Sequence, residues 1–225
     1  MPTILIADDH PLFREALRGA VARVLPAATI VEADDTTALF ALAERHPDAD
    51  LLLLDLNMPG AQGFSALAHL RGSQPQLPVI VVSAREEASV IRRALDHGAS
   101  GFIPKSADAA TIGQAIASVL DGGTFAPPQA AHGHGVDAEE AQIAQRVREL
   151  TPQQFRVLTM LGTGLLNKQI AYALDVSEAT VKAHMTAILR KLGANNRTQA
   201  VLLAARLAVD PGKVTMPPEE ADSSA

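Results

Sequence analysis

Acidic residues, one hydroxyl and one lysine follow short apolar runs in the first half of the chain. The acids are Asp8 and Asp9 after ILIA and Asp55 after LLLL, the hydroxyl is Ser83 after VIVV, and the lysine is Lys105 after GFIP. Clustered carboxylates repel one another, and Mg²⁺, which prefers oxygen ligands, relieves that repulsion. An aspartate beside Mg²⁺, a hydroxyl and an ammonium group is equipped for phosphoryl transfer, with the carboxylate as the nucleophile.

These side chains meet only if the apolar runs are parallel strands of one sheet. Continuous apolar runs are typical of strands buried on both faces, and amphipathic stretches separate them here. This pattern predicts an α/β doubly wound sheet of five parallel strands covered by helices. The carboxyl ends of such strands line one crevice, where the residues above would converge. The predicted strands are Thr3–Ala7, Thr29–Glu32, Asp50–Leu54, Val79–Val82 and Gly101–Ile103.

The pattern changes after residue 122. The stretch FAPPQAAHGHGVDAEEAQ is rich in Pro, Gly, Ala and His and shows no apolar period, which is typical of a linker. From Thr151 the pattern is purely helical, and the last residues have the composition of a disordered terminus. The predicted organisation is a first domain at 1–122, a linker at 123–149, an all-α domain at 150–208 and a disordered tail at 209–225.

The motifs IADD, DLNMPGAQG, VVSA and GFIPK resemble the receiver domain of two-component response regulators, which has a flavodoxin-like fold, over residues 1–122. The resemblance implies that Asp55 accepts a phosphoryl group from the phosphohistidine of a sensor histidine kinase. It further implies a Mg²⁺ site formed by three carboxylates and a backbone carbonyl, and two side chains that contact the phosphoryl oxygens. The residues implied are, for the metal, Asp8, Asp9, Asp55 and the carbonyl of Asn57, and for the phosphoryl oxygens, Ser83 and Lys105.

Phe102 matches the switch aromatic of the same family, which moves inward when the hydroxyl at Ser83 swings toward the phosphoryl group. Phenylalanine has no hydroxyl, so any two-state behaviour of this ring would depend on packing alone. A core or interface aromatic remains the alternative. His10, next to the acidic pair, is interpreted as a residue at the start of a helix.

The helical region 151–208 contains its own start and stop signals. Thr151 and Gln154 fit a capping box around a first helix that ends near Gly162. Asn167 is placed to cap a short helix, and Ser177 to cap a longer one that Gly193 ends, before a final helix from about Arg197. Two helices joined by a tight turn in this way predict a helix-turn-helix.

The longer helix, residues 177–192, has two faces when drawn at 100° per residue. One face is apolar, and the opposite face carries small and basic side chains without an acid, which fits the major groove of DNA. The members of that second face are Ala179, Lys182, Ala183, Thr186 and Arg190.

The region from 150 to about 208 resembles the LuxR/NarL class of helix-turn-helix domains. The resemblance implies that Lys182, Ala183 and Thr186 lie at base edges. It also implies that a second group is available to DNA phosphates, namely Asn167, Lys168, Thr180 and Lys191. Many members carry acidic residues after the Thr-Pro, whereas this chain has Gln153-Gln154-Phe155, so any ion pairs of those acids are absent here.

Composition and charge limit the other functions. The chain has no cysteine, which excludes disulfides, thiolate metal sites and cysteine nucleophiles. Its net charge is −6, yet residues 151–209 hold seven basic and two acidic residues, so a basic module follows an acidic one. The apolar runs are too short to span a bilayer and the start lacks a signal-peptide pattern, so a soluble cytoplasmic protein without membrane contact is expected.

These features together predict a phosphorylation-controlled DNA-binding transcription regulator of the NarL/FixJ type. It would bind double-stranded DNA as a homodimer, and catalysis would extend only to its own phosphorylation and dephosphorylation. The final helix, TQAVLLAARL, is more apolar than a small core requires, so we expect it to form the dimer contact. A charged residue at Val201 or Leu202 should then leave monomer folding intact.

Two other functions stay open. One is a Mg²⁺-dependent phosphohydrolase with an aspartyl-phosphate intermediate, although Asn57 stands where phosphatases of the haloacid-dehalogenase type place an aspartate as general acid. The other is a regulator that binds DNA without phosphorylation.

Overall fold

The computed structural model describes residues 1–60 and 63–209, so the predicted tail from residue 210 onward lies outside the described residues. The first half forms a five-stranded parallel sheet in the order β2-β1-β3-β4-β5, which confirms the expected fold. The strands are β1 Thr3–Ala7, β2 Thr29–Ala33, β3 Leu51–Asp55, β4 Val79–Ser83 and β5 Gly101–Pro104.

Helices cover both faces of the sheet, which is why every residue of β3 and β4 is buried. On one face α1 and α5 pack against the side chains of Ile4, Leu53 and Ile103, and on the other face lie α2, α3 and α4. The helices of this half are α1 Pro11–Val24, α2 Thr36–Arg45, α3 Ser65–Ser73, α4 Ala88–Asp96 and α5 Ala109–Leu120.

The C-terminal half is entirely helical within the described residues. Its helices are α6 Ala138–Arg148, α7 Pro152–Gly162, α8 Asn167–Ala173, α9 Glu178–Leu192 and α10 Arg197–Ala205. No helix of the described ranges is both long and apolar enough to cross a membrane.

The sequence signals locate most ends of these helices. The capping box of Thr151 and Gln154 forms, Ser177 accepts a hydrogen bond from Thr180 N–H, and Gly193 ends α9 at φ +66°. The expected cap at Asn167 is wrong. Leu166 occupies that position. Its backbone N–H donates to the side-chain oxygen of Gln169 (2.7 Å), so a residue within the first turn of α8 provides the hydrogen-bond acceptor.

The segment interpreted as a linker, 123–149, is largely structured. It contains a short 3₁₀ helix, Pro128–His132, which α6 follows. The side chain of Asp137 caps the N-terminus of α6. Ile143 and Val147 of α6 are buried because the helix packs against α3. The apolar spacing of Ile143, Val147 and Leu150 is helical, and it begins just beyond the Pro- and Gly-rich stretch that suggested a linker.

The two halves pack against each other through one continuous apolar core. The ring of His69 on α3 stacks on Phe155 of α7 with the centroids 4.4 Å apart, and Phe40 of α2 meets both rings edge-on. Close approach is possible at Gly72 on α3, where a Cβ atom would collide with the carbonyl oxygen of Arg148. We call this contact between the halves the seam.

Candidate functional site

The ends of three strands bring two acids and one lysine together. Asp8 follows β1, Asp55 is the last residue of β3, and Lys105 follows β5. Lys105 Nζ lies 2.7 Å from Asp8 Oδ2 and 2.9 Å from Asp55 Oδ2. Asp8 is fully buried and Asp55 nearly so, so one ammonium group bridges two carboxylates that expose almost no surface. We call this group the acid pocket.

Asp9, His10 and Asn57 complete the rim of the acid pocket. The ligand atoms of Asp8, Asp9, His10 and Asp55 all lie within 4.8 Å of one another. His10 Nδ1 is 2.6 Å from Asp9 Oδ1, and its ring is mostly exposed beside the N-terminus of α1. The Asn57 N–H donates to Asp55 Oδ1 (3.2 Å), which fixes the rotamer of the central carboxylate.

Burial and charge act in opposite directions on the acid pocket. Burial raises the pKa of Asp55, and the repulsion by Asp8 adds to this, while the hydrogen bond and charge of Lys105 only partly offset it. Burial alone would lower the pKa of Lys105, but the two carboxylates outweigh burial and raise it. The charged form of Lys105 is therefore favoured, whereas the charged form of Asp55 is disfavoured by burial that Lys105 only partly offsets.

Ser83, the last residue of β4, lies beside the pocket, and Phe102 lies on β5. The Ser83 hydroxyl is fully buried and accepts a hydrogen bond from Arg85 N–H (3.1 Å), while its carbonyl accepts from Lys105 N–H (2.8 Å). The Phe102 ring is also fully buried, inside the core that continues to the seam. The structure therefore places this ring inward.

The acid pocket opens to solvent through a cleft beside the start of α1. Leu12 is 83 % exposed at its edge, and the Phe13 ring lies 4.9 Å from Lys105 Nζ. The cleft is lined by His10, Leu12, Phe13, Asp55, Asn57, Ala84 and Lys105. A group carried by another molecule can therefore approach Asp55 without any strand moving.

The polar face of α9 is exposed although the two halves are packed together. All five side chains of the predicted face lie on the surface, and the apolar face, with Val181, Ile188 and Leu192, is buried. The surface residues are Ala179, Lys182, Ala183, Thr186 and Arg190. Thr186 Oγ1 donates to the backbone carbonyl of Lys182 (3.1 Å), and this hydrogen bond does not involve the Lys182 ammonium group.

The four residues assigned to phosphates differ in accessibility. Lys168 is exposed and Asn167 half-buried at the start of α8. Thr180 is half-buried and bonded to Ser177. Lys191 Nζ donates to the Glu149 carbonyl and to Gln154 Oε1, each at 2.7 Å, so it holds α9 to the start of α7. A phosphate contact of Lys191 would require these bonds to break.

The expectation that a charge at Val201 would leave folding intact is wrong. Val201 is 5 % exposed, because α10 turns this residue and Ala204 toward the seam. There both line a cavity together with Gly60 and Ser65 of the first half. Leu202 is 46 % exposed and remains suitable for testing a dimer contact through α10.

A second buried cluster, which the sequence analysis missed, joins α4 to the C-terminal half. The Arg93 guanidinium binds both carboxylate oxygens of Glu140 on α6 (2.8 and 3.1 Å) and the carbonyls of Ala208 (3.0 Å) and Val209 (3.1 Å). His97 Nε2 lies 2.7 Å from Glu140 Oε1. One side chain of α4 thus holds α6 and the end of the last described segment.

In this second cluster, which we call the seam cluster, two basic side chains surround one carboxylate. Burial would raise the pKa of Glu140, but hydrogen bonds and charges from His97 and Arg93 outweigh burial and lower it. The available sequence signal was Arg93 itself, which interrupts the buried face of α4 formed by Val90 and Ala94. An arginine on an apolar helix face needs a partner, although the sequence does not say which.

Comparisons with known proteins find related sequences for both halves of the chain. The response regulator receiver domain matches residues 4–117, and the luxR family of bacterial regulatory proteins matches residues 148–204. The glycerol metabolism activator of Pseudomonas putida is 44 % identical over 210 residues, covering 91 % of this chain and 95 % of that protein. The nitrate/nitrite response regulator NarP of Escherichia coli is 33 % identical over 211 residues, covering 89 % and 93 %.

Solved structures show the same architecture. The RcsB response regulator of Salmonella typhimurium is 25 % identical with a TM-score of 0.54, over 87 % of this chain and 95 % of RcsB. The residues that the two family models match contain both the acid pocket and α9. The chain therefore belongs to the response regulators that join a receiver domain to a LuxR-type helix-turn-helix, together with NarL, NarP and DegU, and it is a phosphorylation-controlled, DNA-binding transcription regulator.

Proposed function

We propose that Asp55 is the phosphoacceptor and that a sensor histidine kinase supplies the phosphoryl group. The observation that carries this proposal is the contact of Asp55 with Lys105 (2.9 Å) at the bottom of an open cleft. An Asp55 oxygen attacks the phosphorus of a phosphohistidine, the P–O bond forms as the P–N bond breaks, and the imidazole nitrogen keeps the electron pair. Lys105 is placed to stabilise negative charge on the transferred group, and Ser83 adjoins it at the end of β4.

The residues of the acid pocket fit Mg²⁺. The carboxylates of Asp8, Asp9 and Asp55 outnumber the one ammonium group that contacts them, and the possible donor atoms are mainly oxygens within 4.8 Å of one another. Asp8, Asp9 and Asp55, with the carbonyl of Asn57, would hold the ion. When bound, Mg²⁺ neutralises charge on the phosphoryl oxygens.

The test is phosphorylation of the full chain by acetyl phosphate and Mg²⁺, followed by intact-mass measurement. We expect one phosphoryl group per chain, lost in Asp55→Asn and kept in Asp50→Asn. Asp50 is a matched control because it lies just before the opposite end of β3, where its side chain accepts a hydrogen bond from Thr3 N–H. Rapid catalytic release of inorganic phosphate would instead support the phosphohydrolase, and labelling of Asp55→Asn would contradict the acceptor assignment.

We further propose that α9 reads double-stranded DNA in the major groove. Lys182, Ala183 and Thr186 would reach base edges, because their face is exposed and carries no acid. Arg190 and Lys168 would contact phosphates. Affinity should fall with salt by about 0.9 log units per log unit of salt for each phosphate neutralised, and Lys182→Ala should reduce that slope or relax sequence preference. Binding that does not respond to salt would contradict this assignment.

The seam suggests how phosphorylation reaches the DNA-binding half. We propose that the packed form restricts α10, since Val201 and Ala204 face the first half, and that phosphorylation favours opening and a homodimer through α10. Replacing Leu202 with Glu should abolish cooperative DNA binding while the monomer stays folded. Equal DNA affinity before and after phosphorylation of the wild type would favour the phosphorylation-independent alternative. We place this activity in the cytoplasm, where the DNA lies.

A further inference from the structure

Arg14 on α1 contacts the backbone of the loop that carries the two adjacent acids. Its Nη1 donates to the carbonyl oxygen of Asp8 (2.7 Å), and its Nε donates to Glu32 Oε2 on β2 (3.3 Å). The Arg14 side chain is only 18 % exposed. One guanidinium therefore joins α1, the end of β1 and the neighbouring strand.

The bonded carbonyl belongs to the peptide between Asp8 and Asp9. The Asp8 N–H still pairs with the Ala33 carbonyl (3.1 Å), as in the sheet, but beyond that point the chain leaves β1. The carbonyl of Asp8, which follows this N–H along the chain, accepts its hydrogen bond from Arg14. The orientation of this peptide decides how the Asp9 side chain stands relative to that of Asp8.

We propose that Arg14 is a positioning residue for the divalent-cation site, acting by fixing the Asp8–Asp9 peptide. The inference rests on the proposed Mg²⁺ site, to which it adds a residue that contacts no ligand atom. The guanidinium suits this task because it makes two hydrogen bonds in fixed directions, whereas a lysine makes contacts from one flexible point. Groups that orient metal ligands commonly affect affinity nearly as strongly as the ligands do.

Arg18 provides a matched control. It also pairs with Glu32, with Nε 2.8 Å from Oε1, but within the described residues it makes no hydrogen bond to the loop of Asp8 and Asp9, and it is more exposed. Removing either arginine deletes one positive charge near the pocket, which by charge alone would tighten cation binding. Loss of positioning acts in the opposite direction, so the sign of the change separates the two explanations.

The experiment is calorimetric titration of MgCl₂ into the full-length protein at constant ionic strength. We expect Arg14→Ala to raise the Kd for Mg²⁺ about 10-fold, and Arg18→Ala to leave it within about twofold. Arg14→Lys should give an intermediate Kd. Arg14→Ala with a Kd equal to or below that of Arg18→Ala would overturn the proposal.

Two further measurements keep the outcome decisive. Urea midpoints without Mg²⁺ report separately on folding, and the midpoint should be lower for Arg14→Ala than for Arg18→Ala, because Arg14→Ala also removes the donor to the Asp8 carbonyl. If Arg14→Ala does not fold, Arg14→Lys is compared with Arg18→Lys, and equal Kd values for these two variants refute the anchoring role. Acetyl phosphate labelling of the wild type reports separately on the proposed function, since a wild type that binds Mg²⁺ without being labelled would contradict Asp55 chemistry alone.

Discussion

The acid pocket places one lysine against carboxylates, and the seam cluster places an arginine and a histidine against one carboxylate. The pKa of the central carboxylate shifts in opposite directions in the two clusters. In the acid pocket Lys105 contacts Asp8 and Asp55, and Asp9 lies nearby. Burial raises the pKa of Asp55. In the seam cluster Arg93 and His97 surround the single acid Glu140, and its pKa is lowered. An excess of carboxylates suits a site that receives a cation and a phosphoryl group, whereas a carboxylate surrounded by basic side chains suits a contact that holds two halves together.

The comparison predicts the largest effect at Arg93. Arg93→Ala leaves Glu140 buried without its guanidinium and frees the carbonyls of Ala208 and Val209. Breaking a buried ion pair from one side costs about 3–5 kcal/mol, which we expect to open the seam. Small-angle scattering should show a larger radius of gyration than in the wild type.

The neighbouring Arg92 is the control for that experiment. Its pair with Asp96 lies on the surface of the same helix, with Arg92 about half exposed, so Arg92→Ala should cost no more than about 1 kcal/mol and leave the radius unchanged. A compact Arg93→Ala protein would show that the apolar contacts hold the seam without the cluster.

Low pH should destabilise the packed form through protonation of His69. Burial lowers the pKa of His69 from its usual value of 6.5 to about 4, because its ring lies between Phe40 and Phe155. The packed form therefore binds the proton more weakly than the open or unfolded form. Its stability is complete above about pH 6.5 and falls as the pH approaches 4, by up to about 3 kcal/mol.

Comparison with His69→Leu isolates this contribution from the carboxylates that titrate in the same range. Urea unfolding followed by circular dichroism should give a smaller pH dependence for the variant between pH 7 and 4. Parallel curves for the two proteins would mean that His69 accepts a proton without disturbing the seam.

The third prediction uses two glycines on helices. Gly72→Ala improves the helix propensity of α3 but drives a Cβ atom into the Arg148 carbonyl, whereas Gly19→Ala in α1 meets no atom within 4 Å. Gly19→Ala should therefore stabilise the protein by up to about 1 kcal/mol. Gly72→Ala should instead open the seam, measured as faster proteolysis between residues 133 and 150. Equal stabilisation by both substitutions would contradict the close packing of α3 and α6.

The two clusters also differ in how far the sequence predicts them. The acid pocket was predictable because a parallel sheet brings its strand ends together, so Asp8, Asp55 and Lys105 converge once the strands are identified. The seam cluster joins Arg93 to Glu140 and Val209, which are 47 and 116 residues away. No regular repeat relates these positions, since their contact depends on how one folded half packs against the other.

Within the C-terminal half the same distinction holds. Periodicity predicted the exposed face of α9, because helix geometry alone fixes it. It did not predict that Lys191 would bond to Glu149 and Gln154, or that Val201 would be buried, because these depend on neighbouring elements. Local chemistry was predictable, and contacts between elements were not.

The smallest expected effect is a gain in the free energy of unfolding, opposite in sign to the loss expected for Arg93→Ala. Asp55→Asn removes one of the uncompensated charges of the acid pocket, and the raised pKa of Asp55 means that its ionised form destabilises the fold at neutral pH. Without Mg²⁺ the variant should therefore gain about 0.5–1 kcal/mol in the free energy of unfolding, as is common where function and stability conflict. Glu140→Gln should lose stability under the same conditions, since it removes the only acid between two basic groups. Urea titrations of both variants at pH 7 make the comparison direct, and a loss in Asp55→Asn would mean that Lys105 compensates the pocket fully.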